Sequence, residues 1–127
     1  MVEVIAFADV EAFAVSYLRS KITGATVATR VPTTMPDQMV RVSRIGGAAR
    51  DLITDASLVL VECWGTSTVA ASELARQCRA HLLASARVTD SVTKAVDTSG
   101  VAFLPDPGTN SPRYQFTVEL HLRGSTL

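Results

Sequence analysis

Cysteine is scarce in this chain, and so is any surplus of charge. Its two cysteines, Cys63 and Cys78, are too few for a disulfide framework. No basic-then-apolar leader opens the sequence, so the reading is a protein made in a reducing cytoplasm. Twelve Lys and Arg balance twelve Asp and Glu. A protein that grips nucleic acid by neutralising phosphates normally carries a cationic excess, and this one has none. Long apolar runs are missing too. The longest, around Leu58 to Cys63, is far short of a bilayer span, so no membrane partner is expected. No internal repeat and no low-complexity tract occurs.

What is present fits one folded domain over residues 1–127, with a short flexible tail from about residue 125. At 127 residues, 47% apolar and 19% charged, the chain can bury a core without a metal or disulfide staple. Its clearest signal is the segment Arg113 to Arg123. Tyr114, Phe116, Val118, Leu120 and Leu122 take one parity; Arg113, Gln115, Thr117, Glu119, His121 and Arg123 take the other. Alternation of that kind specifies a strand with one face on a core and one face wet.

Elsewhere the periodicity changes. Asp9 is a good N-cap, and Val10, Phe13, Ala14, Tyr17 and Leu18 recur at helical spacing before Gly24. Ala25–Val31 and Met39–Ile45 read as two strands of a hairpin whose tip, through Pro32 and Pro36, is long and stiff. Gly46-Gly47 ends that pair, and the stretch to Asp55 reads as a crossing segment. Leu58–Trp64, apolar on both parities apart from Glu62, predicts a central strand covered on both faces. A second helix follows to about Ala84, with Ala71, Leu74, Ala75, Cys78 and Leu82 inward. Asp90–Asp97 is a weak strand or a loop, and Gly100–Leu104 a short strand paired with the last one. The expected fold is α+β: a mostly antiparallel sheet of four to five strands with two helices packed on one face.

Catalytic constellations are weak. Cys63, Cys78, His81 and His121 could be imagined around zinc, but no Cys-x-x-Cys knuckle exists and both cysteines continue apolar patterns. Core thiols are the better reading, and no metal or cofactor is expected. A Gly-x-Ser-x-Gly elbow is absent, and Gly65-Thr66-Ser67-Thr68 lacks the second glycine and the lysine of a phosphate loop. Asp51 and Asp55 have no histidine beside them. Glu62, the odd acid in an apolar strand, is better paired with an arginine, or set at a subunit boundary, than used as a base. A basic stripe through Arg41, Arg44, Arg113 and Arg123 fails because Arg41 and Arg44 have opposite parity. No enzyme is expected.

The whole-chain pattern carries more. Three features matter: the Arg44-Ile-Gly-Gly47 turn, the Leu58–Trp64 strand passing through Gly65-Thr66 into an Ala-rich helix, and Leu104-Pro-Asp-Pro-Gly ahead of Pro112-Arg-Tyr-Gln-Phe-Thr-Val-Glu-Leu-His-Leu-Arg-Gly124. With these the chain resembles the tail terminator proteins of long-tailed (siphovirus-type) phages, especially those of actinobacteria, over nearly its full length. The resemblance implies a virion protein at the head–tail interface. It would be a homo-oligomer, a hexameric ring on the finished tail tube that stops tube polymerisation and receives the head's connector. DNA would only pass through the lumen. A head-completion or neck protein is the sibling alternative, and a small nucleic-acid-binding domain the rival from another class. The contact residues are chosen from the sequence itself. Pro32, Met35 and Asp37 lie on the Pro-stiffened loop, where an apolar side chain suits docking. Arg113 and Arg123, on the wet face of the last strand, would line the ring or meet the next subunit.

Overall fold

Asp9 starts the first helix as its sequence suggests. Its Oδ1 accepts hydrogen bonds from the backbone N–H groups of Glu11 (2.9 Å) and Ala12 (3.2 Å), satisfying donors that the first turn leaves free. The computed structural model describes residues 2–127 and arranges them as β1 (Ile5–Phe7), α1 (Val10–Lys21), β2 (Thr26–Ala28), β3 (Met39–Ala49), β4 (Thr54–Trp64), α2 (Thr68–Val88), β5 (Val92–Phe103) and β6 (Arg113–Thr126). Helix α2 begins at Ser67, whose Oγ accepts from the Ala70 N–H at 3.1 Å. It runs a turn beyond the expected end at Ala84, because Ser85 extends the inward stripe as a small buried residue. The Ser85 hydroxyl is satisfied by the Leu82 carbonyl at 2.6 Å.

The architecture is α+β with two helices, as expected, but the sheet has six strands and is mixed. Its order is β1-β6-β4-β3-β2, with β5 also on β6. Strand β6 is the hub. It pairs antiparallel with β4 from Thr54↔Arg123 to Trp64↔Arg113, and with β5 from Val92↔Leu122 to Phe103↔Tyr114. The N–H groups of Arg123 and Leu127 have the same parity and bond the carbonyls of Ser91 and Val4, so β1 prolongs the edge that β5 occupies.

Three expectations are corrected. First, β2 and β3 are not a hairpin: they pair parallel, Thr26↔Met39 to Ala28↔Arg41. Residues 29–38 are long enough to carry the chain back beside its own start, where the Thr26 N–H reaches the Gln38 carbonyl at 3.0 Å, and Pro32 and Pro36 have no N–H to give an antiparallel ladder. Second, the supposed crossing segment is the far half of a β3–β4 hairpin. Strand β3 continues through Gly46-Gly47 by a bulge at Ile45 and pairs as far as Ala49↔Asp55, and Arg50 N–H closes the turn on the Thr54 carbonyl at 2.8 Å. Gly47 makes this possible. Its φ is +86°, and a Cβ there would sit 2.0 Å from the Ala56 carbonyl oxygen. Third, the weak segment and the short strand before the last loop are one strand, β5, whose register slips three times.

The core lies between the helices and one face of the sheet. Val40 and Val42 of β3, Val59, Val61 and Cys63 of β4, and Phe116, Val118, Leu120 and Leu122 of β6 form one buried cluster with Ala14 and Leu18 of α1 and Leu74, Cys78 and Leu82 of α2. The facing read from β6 is therefore the observed one. The opposite face carries no helix, so β4 is not covered equally on its two sides: Leu58 and Leu60 are only half-buried. Nor is the odd parity of β6 uniformly wet. His121 is 5% exposed, with Nε2 at 2.6 Å from Glu119 Oε1 and Nδ1 buried without a partner.

Candidate functional site

The sheet has two ends of different chemistry, set by β6 and its partners. At the end formed by Met39, Trp64 and Arg113, the odd acid Glu62 is buried and paired with arginine, one of the two readings the sequence favoured. Its Oε1 accepts from Arg41 Nε (2.7 Å) and lies 2.6 Å from Arg41 Nη2, and its Oε2 accepts from Arg113 Nη1 (3.1 Å). Both guanidinium carbons lie 5.7 Å from the Trp64 ring centroid, at cation–π range. Trp64 in turn donates Nε1–H to Asp106 Oδ2 at 3.1 Å, which ties the 104–112 loop over the strand ends. Asp106 also accepts from the Gly108 N–H, and these hydrogen bonds hold its carboxyl below the usual carboxylate range. Arg41, Glu62, Arg113, Trp64 and the loop through Asp106 thus make a closed strut in which each Glu62 oxygen is engaged by an arginine.

Arginines elsewhere are committed in the same way. Arg44 clamps Asp55 with two parallel bonds, Nη1–Oδ2 at 2.7 Å and Nη2–Oδ1 at 3.1 Å. That clamp is the main reason the Asp55 carboxyl is depressed from its ordinary value, and Ser57 adds to it. Arg44 Nε also bonds the Gly46 carbonyl at 3.0 Å, bracing the bulge, while its backbone N–H is taken by Glu11. Arg79 pairs with Asp97, and Arg50 with Asp51. Arg41 and Arg44 do part to opposite faces, one toward Glu62 and the other toward Asp55.

The expected contact residues do not gather in one place. Pro32, Met35 and Asp37 are all exposed on the 29–38 loop, Met35 at 38%. Arg113 is not on an open face: its side chain is 15% exposed and spans Glu62 and the Leu104 carbonyl, at 2.8 Å from Nε to the latter. The acid beside it and the loop above it outweigh the simple alternation that would have left it wet. Arg123 is exposed, ten residues along β6 and about 33 Å away.

Thiol or metal chemistry finds little geometry. Cys63 and Cys78 are both fully buried between β4 and α2. A hydrogen bond with Cys78, and then burial, push the Cys63 thiol well above its ordinary range, which makes it a poor nucleophile. Among the described residues no group of three or more His, Cys, Asp or Glu is placed to hold a metal ion. Likewise no helix of the described residues is long and apolar enough to cross a membrane.

The opposite end was missed from sequence. The β3–β4 turn carries Leu52, 86% exposed, and Ile53, 57% exposed, and Leu52 shares a cleft of about 260 Å³ with Glu3, Ile5, Phe7, Ala49 and Asp51. Strand β1 closes over Gly124, where a Cβ would come within 2.5 Å of Ile5 Cγ2. The available signal was two aliphatic residues following Arg50-Asp51, a polar pair suited to a turn; it was obscured because Gly46-Gly47 looked like a strand terminator. A second, polar cleft of about 290 Å³ lies among Thr23, Gln38, Ala70, Glu73, Leu74 and Gln77. Comparison of the sequence with protein-family models and with curated proteins finds no match.

Proposed function

We propose that this chain is a structural subunit of a phage tail, a terminator that assembles as a hexameric ring on the tail tube, ends tube growth and offers the surface to which the head's connector docks. The observation that carries the reading is where the bare apolar side chains fall. The core is complete, yet Met35, Leu52, Ile53, Phe103 and Leu104 stay between 38% and 86% exposed on loops and strand ends, and Ile45 is 52% exposed at the bulge of β3. Scattered exposed aliphatics are ordinary, but several on braced strand ends suit a protein that works by contact. Internal neutralisation of Arg41, Arg44, Arg50, Arg79 and Arg113 supports the same choice over a nucleic-acid-binding domain, since those cations have acid partners. In a ring, DNA passes through the lumen without being gripped.

Within this reading the 29–38 loop, with Pro32, Met35 and Asp37, meets the tube or a neighbouring subunit, and Arg123 lies at the contact or the lumen. Arg113 serves as the strut that holds the end in shape. The test is to purify the chain with and without a tail tube protein and examine it by native mass spectrometry and electron microscopy. A hexamer that caps tubes of fixed length is the expected result. Met35→Asp should melt like the wild type yet cap poorly. Free tubes growing unchecked in the presence of the protein would remove the terminator role; rings that bind a connector but not tubes would favour a neck protein instead.

A further inference from the structure

Strand β6 is held unequally along its two edges. On one it pairs with β4 residue for residue, Thr54↔Arg123 to Trp64↔Arg113, without a slip. On the other, the twelve residues of β5 face nine of β6, Tyr114–Leu122, and the three surplus residues are taken up in slips after Val92, Asp97 and Ser99. Each slip leaves a residue unpaired and interrupts the ladder. Burial is as uneven. Eight of the eleven residues of β4 are buried against one of twelve in β5, so little apolar contact holds the slipped strand down. That one is Val92, at its start; Ala95 and Val101 are only partly buried against the core. At its end β5 is tied by the Leu104 N–H to the Arg113 carbonyl at 2.9 Å, and by Arg113 Nε to the Leu104 carbonyl at 2.8 Å.

Between these anchors the arc Asp97–Ala102 is fastened largely by side chains. Asp97, opposite the core residue Val118, pairs with Arg79 of α2. The hydroxyls of Thr98 and Ser99 each lie 2.8 Å from that of Thr117. The Thr117 N–H donates to Ser99 Oγ at 3.0 Å, where a regular ladder would offer a main-chain carbonyl. Gly100 follows, with open space where a Cβ would stand, and it adds a flexible joint.

We infer that Asp97–Ala102 is a latched strap, which opens from β6 as a unit while the rest of the sheet stays folded. Its latch is the Arg79–Asp97 pair together with the hydroxyls of Thr98, Ser99 and Thr117. Opening removes only half-buried side chains from the core, and the ion pair it breaks has both side chains 35% exposed, so its contribution is that of a surface pair. The edge of the hub strand is thereby gated rather than permanently covered. Amide direction makes the opening readable along β6. Odd-numbered N–H groups point toward β5, as Thr117 does to Ser99 and Arg123 to the Ser91 carbonyl; even-numbered ones point the other way, as Gly124 does to the Ile53 carbonyl.

Amide hydrogen exchange of the whole chain, followed by NMR at low urea concentrations, is the test. Gln115 and Thr117, facing the strap, should be about ten-fold less protected than Phe116 and Val118, which face β4, and should respond little to urea. Arg79→Met should lower protection at Gln115 and Thr117 by about two- to five-fold, and by more than at Phe116 and Val118. Gly100→Ala, at a position without positive φ, should raise it by about the same factor, since alanine restricts the open strap. Equal protection and equal urea dependence of the two sets in the wild type would overturn the inference, whatever the variants do. So would variants that shift both sets alike, because the Arg79–Asp97 pair would then brace the whole fold instead of latching one arc.

Discussion

Glu62→Ala is the perturbation with the largest stability effect outside the apolar core. The substitution removes one carboxylate and leaves two guanidinium groups without their common partner. They are not equivalent: the Arg41 side chain is 37% exposed and can turn to water, whereas that of Arg113 is 15% exposed and is pinned by the Leu104 carbonyl. Removing one member of a fully buried pair costs about 3–5 kcal/mol, and an exposed pair contributes only about 0.2–1 kcal/mol. One buried and one third-exposed partner place the loss between those limits, at about 2–4 kcal/mol. Urea denaturation followed by tryptophan fluorescence is the natural assay, since Trp64 lies against both arginines. The triple change Arg41→Met, Glu62→Leu, Arg113→Met should recover most of the loss, because the penalty is for stranded charge rather than for a missing attraction. A Glu62→Ala loss below about 1 kcal/mol would refute the reasoning, and would mean the strut is solvated in solution.

Core truncation tests the facing of the hub strand: Phe116→Ala and Leu120→Ala, at side chains 1% and 0% exposed, should each cost about 2–5 kcal/mol in chemical denaturation. The Arg44–Asp55 clamp predicts an acid limb. The folded Asp55 carboxyl is depressed below its unfolded value, so its contribution is complete above the ordinary carboxylate range and is lost as pH falls through the lower folded value. Melting curves across mildly to strongly acid pH should show that loss in the wild type and a flatter limb in Arg44→Met; parallel limbs would discard the clamp as its source.

How far the sequence could be read depended on the range over which its signals act. Asp9 and the two apolar stripes are local: α1 starts where its cap says, and α2 starts within the Gly65–Thr68 break, at Ser67. The alternation in Arg113–Arg123 is also local, and it assigned the core face of β6 correctly. Pairing is not local. Nothing in Ala25–Val31 itself distinguishes a strand that turns back antiparallel from one that loops round to lie parallel; the two prolines count against a ladder through the loop but do not name the pairing that replaces it. Gly46-Gly47 misled for a related reason. Glycine marks both the end of a strand and a bulge within one, and only the approach of the Ala56 carbonyl, supplied by a partner strand, separates the two cases.

The candidate surfaces follow the same division. Loop exposure could be read from composition, so Pro32, Met35 and Asp37 are where the sequence put them. Parity could not say that Arg113 would be drawn under the 104–112 loop, because that depends on Glu62 one strand away and on Asp106 holding Trp64. The same strut accounts for the exposure of Phe103 and Leu104. Arg113 fastens the backbone of Leu104, so the last residues of β5 are held at the margin of the sheet with their side chains outward rather than folding in over Trp64. The buried charge and the bare apolar patch at that end are therefore one construction. Loss of Glu62 should loosen both, so Glu62→Ala should speed hydrogen exchange at the Leu104 amide, which is bonded to the Arg113 carbonyl, as well as lower the stability of the fold.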